Sequence, residues 1–268
     1  MRGARPERAL DAMVRAVAGL RAGLRVCVAC SGGPDSVALA SLIDRLARAD
    51  GADVVLAHVN HGVRPSAGQD ECVTLSVGAR LGRRVLTARP RLERDDEAAL
   101  RAARYDALAQ LARTAGASAV LTAHTAEDQT ETVLLALFRG TGLDGLGGMA
   151  PRRRLDGEIE LIRPLLRVTR AELATELRRS GLPYALDPSN DDRRYRRNAL
   201  RVHLAALRAD FPSLDRAVAR CGEIVRDEAG DTPRAQARRV LRAQLDEIGA
   251  LRDVSFADIE TALGAGEP

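Results

Sequence analysis

The sequence predicts an α/β fold: a parallel sheet with helices on both faces, followed by a small helical C-terminal region. Three observations carry this reading. Short apolar runs alternate with helical stretches between residues 24 and 181, the pattern of βαβ units. The hydrophobic fraction of 46% over 268 residues supplies a substantial core. Beyond about residue 198 the pattern is helical, with no further strand.

Taken in order, residues 1–20 read as a short amphipathic helix with Leu10, Met13, Val14 and Val17 on one face. Glu7 and Asp11 interrupt its arginines and argue against an organelle-targeting segment. "LRVCVAC" is a buried strand that runs into "SGGPDS" and a helix reaching about Arg48. "ADVVLAHVN" is a second strand and "AGQDECVTLSVGARLG" a helix. "RRVLTAR" is strand-like, and "DDEAALRAARYDALAQLARTAG" is a long amphipathic helix. "ASAVLTAH" is a further strand that feeds the helix "TAEDQTETVLLALFRG". "GTGLDGLGGMAPRRR" is glycine-rich and reads as a loop. "EIELIRPLL" closes the strand series, and "TRAELATELRRSG" is a helix ended by glycine. Crossovers between parallel strands should be right-handed. A polar segment then leads into helices to about residue 226. The expected division is a catalytic domain at 1–214 and a helical region at 215–268.

Composition narrows the chemistry. Every one of the 41 basic residues is arginine, against 37 acidic residues. A lysine-free chain excludes a Walker-type loop, a Schiff-base lysine and a pyridoxal phosphate anchor. Aromatic residues are 2% with no Trp, so stacking on exposed bases is not the main mode of any nucleic-acid contact. Four cysteines without a secretion signal, and no apolar run long enough for a bilayer, lead to a cytoplasmic expectation with no membrane partner.

Five stretches hold candidate functional residues. In "SGGPDS" a glycine turn follows a strand and opens a helix, so Gly32 and Gly33 let the backbone approach an anion closely. The free N–H groups at the helix start can then bind phosphate without a lysine. Ser31 and Ser36 offer hydroxyl donors, and Pro34 belongs to the same string. Asp35 beside a phosphate calls for a cation, and is expected to bind Mg²⁺. "HVNHGVR" at 58–64 ends the second strand, which puts His58 and Asn60 at the carboxyl edge where nucleotides bind. His58 and His61 lack the further ligands of a metal site. Cys27 and Cys30 lie in a strand with side chains on opposite faces, which argues against redox or cluster chemistry. "HTAEDQTET" leaves His124 at a strand end and sets Asp128 and Glu131 on one helical face, suited to magnesium or an ammonium-bearing substrate. In "RAARY", Arg104 could reach a phosphate or a carboxylate. In "DPSNDDRRYRRNALR", Arg193, Arg194, Arg196, Arg197 and Arg201 concentrate charge that suits RNA phosphates.

The SGGPDS string resembles the PP-loop of the N-type ATP pyrophosphatases, which cleave ATP between its α and β phosphates. The resemblance implies a Rossmann-like PP-loop ATPase fold with ATP as co-substrate, its pyrophosphate cradled by backbone N–H groups. More specifically, SGGPDS, HVNHGVR, RAARY, the H-x-x-x-D-x-x-E-T string at 124–132, FRGTGLDGLGGM, IRPLL, DPSN and RRNALR are together similar to the tRNA(Ile)-lysidine synthase family. The likeness covers roughly residues 24–205.

That resemblance implies a ligase with three substrates: ATP, free L-lysine and tRNA(Ile) with a CAU anticodon. O2 of the wobble cytidine attacks the α-phosphate and pyrophosphate leaves. The ε-amine of lysine then attacks C2, giving lysidine and AMP. It implies that Asp128 and Glu131 bind the lysine amino groups, that Arg104 and Arg197 steady a carboxylate or the α-phosphate, and that His124 borders the adenylate. Arg64, Asn190 and Asn198 join Arg193, Arg194, Arg196 and Arg201 as expected RNA contacts. It also implies a longer C-terminal region that grips tRNA, of which residues 234–263 look like the start. The oligomeric state stays open, a dimer among the options. The rival readings are another PP-loop tRNA-modifying enzyme such as a thiolase, and a nucleotide- or RNA-binding module without catalysis.

Overall fold

The structure is a computed structural model and describes residues 6–60, 67–90, 97–186, 196–229, 236–237, 240–241, 243–244 and 256–264. Helix α1 (Pro6–Ala18) precedes β1 (Arg25–Ala29), α2 (Pro34–Asp50), β2 (Asp53–Val59) and α3 (Ala67–Leu81). Then come β3 (Val85–Ala88), α4 (Glu97–Ala115), β4 (Ala119–Leu121) and α5 (Ala126–Leu137). The short α6 (Leu143–Leu146) leads to β5 (Arg152–Asp156), β6 (Ile159–Ile162) and α7 (Arg170–Ser180). The remaining described helices are α8 (Arg196–Asp210), α9 (Leu214–Ala229) and α10 (Phe256–Gly264).

The strand order is β3-β2-β1-β4-β6-β5. Pairing is parallel throughout except for β5, which runs antiparallel to β6 at the edge. The expected parallel α/β sheet is what the chain forms, and all five strands read from the sequence are present. The glycine-rich stretch expected to be a loop holds two elements, α6 and the start of β5. Strand β5 escaped the reading because it opens on three exposed arginines and holds one apolar side chain, Leu155, so no alternation of apolar and polar residues marks it.

The two faces are buried separately. On one, Val26, Val28 and Leu56 pack with Leu39, Leu42, Ile43 and Leu46 of α2, Val14 of α1, and Leu173 and Leu177 of α7. On the other, Cys27, Val55, Val120 and Leu161 pack against Leu108, Leu111 and Ala112 of α4. Strand alternation thus sends Cys27 and Cys30 to opposite cores, as expected. Helix α9 docks on α5 and α6, and Gly222 lets its backbone come close: a Cβ there would lie 3.0 Å from the Gly147 carbonyl oxygen. Gln129 of α5 clamps the same glycine stretch, accepting from Met149 N–H at 2.8 Å and donating to the Met149 carbonyl at 3.1 Å.

A charged network ties three helices of the first face. Glu176 of α7, 5% exposed, accepts from Ser41 Oγ of α2 at 2.9 Å and pairs with Arg179 at 2.7 Å. Arg45 of α2 lies 3.6 Å from Glu176 and forks onto Asp11 of α1 at 2.6 and 2.7 Å. Replacing Glu176 with Ala leaves Ser41 without its acceptor and Arg179 without its carboxylate, while Arg45 keeps Asp11, and is expected to destabilise the chain by about 1 to 2 kcal/mol. Glu176→Gln, which can still accept from Ser41, should lose less. Urea unfolding of both variants checks this, and equal losses would show that packing rather than polar pairing dominates there.

Candidate active site

The strand order reverses between β1 and β4, so the segments leaving their carboxyl ends diverge and open a crevice. Residues 30–33 leave β1 and turn into α2. Gly32 has φ +87°, and a Cβ on it would lie 2.8 Å from the Asp70 carbonyl oxygen of α3. Both the dihedral and the close approach require glycine. Ser36 organises the turn: its Oγ accepts from Ser31 N–H at 3.1 Å and donates to the Gly33 carbonyl at 2.9 Å. Ala185 N–H holds the Gly32 carbonyl at 2.8 Å from the far side. Gly33 caps α2 without a side-chain hydrogen bond, and Pro34 follows. The first-turn amides of α2 are therefore presented to the crevice, a ready anion site.

Helix α5 begins at the end of β4 in a reciprocal cap: Thr125 N–H donates to Asp128 Oδ2 at 3.0 Å, and Asp128 N–H to Thr125 Oγ1 at 3.4 Å. The other Asp128 oxygen accepts from Arg170 Nη2 at 2.9 Å, and Arg170 Nε donates to Asp35 Oδ2 at 3.1 Å. The Arg170 backbone N–H donates to Glu127 Oε1 at 2.9 Å. One guanidinium thus bridges the first turns of α2 and α5 from the start of α7. Burial opposes ionisation of Asp128, but Arg170 and the Thr125 amide outweigh it and hold its carboxyl below the usual range. Burial prevails at Asp35 and raises its carboxyl, with Arg170 counteracting. Burial also opposes the charge on Arg170, yet Asp128 and Asp35 keep it more firmly protonated than usual.

Behind Asp128, Glu131 is fully buried and takes a fork from Arg201, at 2.7 Å to one oxygen and 3.1 Å to the other. Arg197 Nε stands 3.1 Å from Glu131 Oε2 without hydrogen-bond alignment, while its Nη2 donates to Thr132 Oγ1 at 2.9 Å. Arg201 also reaches within 3.6 Å of Asp128, so the two carboxylates do share one side of α5.

These groups line a cleft of about 930 Å³. Its lining includes Ser31, Gly33, Pro34, Asp35, Ser36, Arg104, His124, Asp128, Asn198 and Arg201, all expected from the sequence. Gly32 is buried within the turn, and Glu131 and Arg197 stand behind Asp128. Two expected nucleotide neighbours are corrected. His58 and Asn60 turn away from the cleft, because on β2 it is Ala57 and Val59 that face it and side chains alternate. His58 donates from Nδ1 to the Cys30 carbonyl at 2.8 Å, bracing the glycine turn from beneath. Asn60 donates to Glu71 at 2.9 Å. Arg201, expected on RNA, is committed to Glu131. Arg196 is exposed at the start of α8. Arg64, His61, Asn190, Arg193 and Arg194 lie outside the described residues.

Sequence reading missed Arg170 and Tyr105 as cleft residues. A signal for Arg170 existed: Thr169 and Glu172 form a capping box that starts α7 just beyond the final parallel strand. His124 donates or accepts at Thr122 Oγ1 over 2.9 Å. Burial, aided by Arg163, Arg101 and Arg197 and opposed by Asp128, brings its imidazole down to about 4, so it is neutral near pH 7. Among the described residues no three His, Cys, Asp or Glu side chains cluster to hold a metal, and no helix is long and apolar enough to cross a membrane.

The chain matches the PP-loop domain family over residues 6–207. It is 40% identical over 266 residues to the tRNA(Ile)-lysidine synthase of Methylobacterium sp. (strain 4-46), covering 90% of this chain and 75% of that protein. It is 43% identical over 193 residues to the synthase of Novosphingobium aromaticivorans, with 70% and 58% covered. The synthase of Thermus thermophilus is 40% identical over 222 residues, with 80% and 42% covered. Among solved structures, the U34-tRNA thiolase NcsA from Methanococcus maripaludis shares the fold, with TM-score 0.67, 16% identity, and 81% and 77% of the two chains covered.

The neutral state of His124 has a consequence for acid stability. Its ordinary value of 6.5 falls to about 4 in the folded chain. Between those values the unfolded chain binds a proton that the native site refuses, so stability falls as pH drops from 6.5 towards 4. The loss is about 3 kcal/mol across that window. Asp128 contributes only below its ordinary 3.8, outside the window, and the raised Asp35 carboxyl acts in the opposite sense, offsetting part of the loss in native and variant chains alike. Urea midpoints measured at pH 7, 5.5 and 4.5 should decline for the native sequence and much less for His124→Gln. Parallel declines would contradict a buried neutral imidazole.

Proposed function

Because the chain belongs to the tRNA(Ile)-lysidine synthase family, we propose that it joins free L-lysine to C2 of the wobble cytidine of tRNA(Ile) with a CAU anticodon, consuming ATP and releasing AMP and diphosphate in the cytoplasm. The chain spans three quarters of the Methylobacterium relative and about half the length of several others, from 42% to 58% in the two described above. The observation that carries the proposal is the pairing, in one cleft, of an uncapped helix N-terminus with two carboxylates held on a single guanidinium.

In this reading the first-turn amides of α2 and the turn before it hold the phosphates that leave as diphosphate. Asp35, in the first turn of α2 beside the anion site, offers the oxygen donors that Mg²⁺ prefers; it would hold the ion, which would neutralise phosphate charge. Arg104 faces the α-phosphate, where negative charge grows as the cytidine oxygen attacks. His124, neutral, borders the adenylate as a hydrogen-bond partner rather than as a cation. Of the two carboxylates expected on lysine, Asp128 lines the cleft and Glu131 is buried. Asp128 is therefore the direct ammonium partner, and Glu131 acts through Arg201 and Arg197. Both substrates and ATP must meet in one geometry, so positioning supplies much of the rate.

The thiolase reading gains little from the cysteines. Burial pushes the Cys27 thiol up to about 11, far from a ready nucleophile, and Cys30 is raised by the same cause.

Sustained diphosphate release from ATP should require both unmodified tRNA(Ile) carrying CAU and free lysine. Release without the tRNA, or a product lacking the mass of an added lysine, would overturn the proposal. Asp128→Asn should raise the KM for lysine by about tenfold or more, as expected when one charge-assisted hydrogen bond is removed, while the KM for ATP changes by a few fold. Equal loss of both would remove Asp128 from the lysine site.

A further inference from the structure

Around Tyr105, which lines the cleft, lies a group of arginines that the reaction described above does not use. Tyr105 of α4 is their centre. The guanidinium of Arg153, from the edge strand β5, lies 5.0 Å from its ring centroid, and that of Arg101 lies 5.3 Å away. Arg163, at the end of β6 and only 3% exposed, is close enough for its charge to act on the Tyr105 hydroxyl. Arg163 also donates to the Ala150 carbonyl at 2.7 Å, and its Nε is buried without a hydrogen-bond partner. Arg101 donates to Tyr105 Oη at 3.4 Å, and Arg153, among the described residues, donates to the Arg154 carbonyl at 3.0 Å.

None of these three arginines meets a carboxylate among the described residues. Elsewhere in the same chain arginines find them readily: Arg45 takes Asp11, Arg208 takes Asp215, and Arg201 takes Glu131. Their field is felt by the neighbours. Burial opposes ionisation of Tyr105, yet Arg101, Arg163 and Arg153 together bring its phenol below the usual range. Arg163 and Arg101 both disfavour a proton on His124. Three like charges converging on a largely buried ring repel one another, and only the ring face and backbone carbonyls offset this. An anion seated here would relieve the repulsion.

We propose that the arginines around Tyr105 form the seat of an RNA phosphodiester, belonging to a nucleotide beside the modified base, and that the β5 edge is the wall across which the RNA strand enters. This rests on the reading that tRNA is a substrate. Two features favour a phosphodiester. Arg101 and Arg153 are exposed and open to a long polyanion, whereas Arg163 is buried and its charge is felt at His124 in the cleft. Forked guanidinium groups match the paired non-bridging oxygens of a phosphate. The edge strand exposes Arg153 and Arg154, while Arg152 is held by Glu160 and the Val17 carbonyl; charged residues stand where apolar ones would invite another strand.

The test is the full chain carrying both Arg101→Gln and Arg153→Gln, with binding of an unmodified tRNA(Ile) transcript measured from 50 to 300 mM salt. Affinity is expected to fall by about tenfold at low salt, and the slope of log affinity against log salt to become shallower by about one, for the one phosphate no longer neutralised. The KM for ATP should stay within about twofold, and the melting temperature should hold or rise because repulsion is removed. Arg153→Lys with Arg101 intact should keep the native salt slope.

Unchanged tRNA affinity and slope would overturn the proposal. A raised KM for ATP with unchanged tRNA binding would also overturn it, since the anion would then be a nucleotide phosphate. If the double variant melts early, Arg153→Gln alone decides the matter through the salt slope. The binding measurement needs no turnover. A native chain that makes no lysidine, but loses tRNA affinity on these substitutions, would refute the proposed reaction and leave this surface standing.

Discussion

One guanidinium holds the catalytic end of the molecule together. Strands β1, β4 and β6 lie side by side in the sheet, and each is followed by a helix whose first turn faces the cleft. Three positive helix ends brought this close repel one another. Asp35, Glu127 and Asp128, in the first turns of α2 and α5, answer that field. Arg170 does the opposite: it is a cation at the first residue of α7, where the helix dipole disfavours it. Its place there is explained by the two carboxylates it bridges and by its backbone amide on Glu127. Without it, two carboxylates would face each other in a partly buried space, and Asp35, already raised by burial, would be the first to take a proton.

The glycine turn depends on the same closure. Gly32 can sit against the Asp70 carbonyl only because nothing extends from its Cα, and Ala185 and His58 pin the turn from two further directions. The turn is therefore fixed before any ligand arrives. An anion meeting it finds amides already aimed, which is what makes a backbone site competitive with a lysine side chain that this chain lacks.

The fold was legible because buried parallel strands write continuous apolar runs, and "VVLAHV" or "AVL" can hardly be anything else between helices. The glycine turn was legible for a similar reason, since positive φ and close approach both demand the residue found. Strand β5 was not legible: an exposed edge strand that opens on three arginines has no apolar face to betray it. His58 and Asn60 were misplaced because position at a strand's carboxyl end does not say which face a side chain takes; alternation does, and Ala57 and Val59 hold the cleft face. Arg170 was hidden among many arginines, and nothing local separates one that bridges two distant carboxylates from one in solvent. Arg201 illustrates the converse. Its segment reads as a charge run for RNA, yet Glu131, seventy positions earlier, claims its fork.

The cleft has two electrostatic halves, and they differ in what a ligand must displace. On one side Asp35, Asp128 and Glu131 each already have an arginine, so a cation that comes to them exchanges for a charge of the same sign and gains only the difference between two partners. On the Tyr105 side, an incoming anion meets arginines that have no carboxylate partner among the described residues, so it displaces none of those. The first half is thus built to discriminate between cations by shape and hydrogen-bond pattern. The second is built to attract, since uncompensated charge acts over about a Debye length while exchange acts only on contact. A substrate bearing many phosphates and one bearing an ammonium group would each find in this cleft the kind of force suited to its size. The long polyanion is drawn in from outside, and the small amine is sorted where it lands.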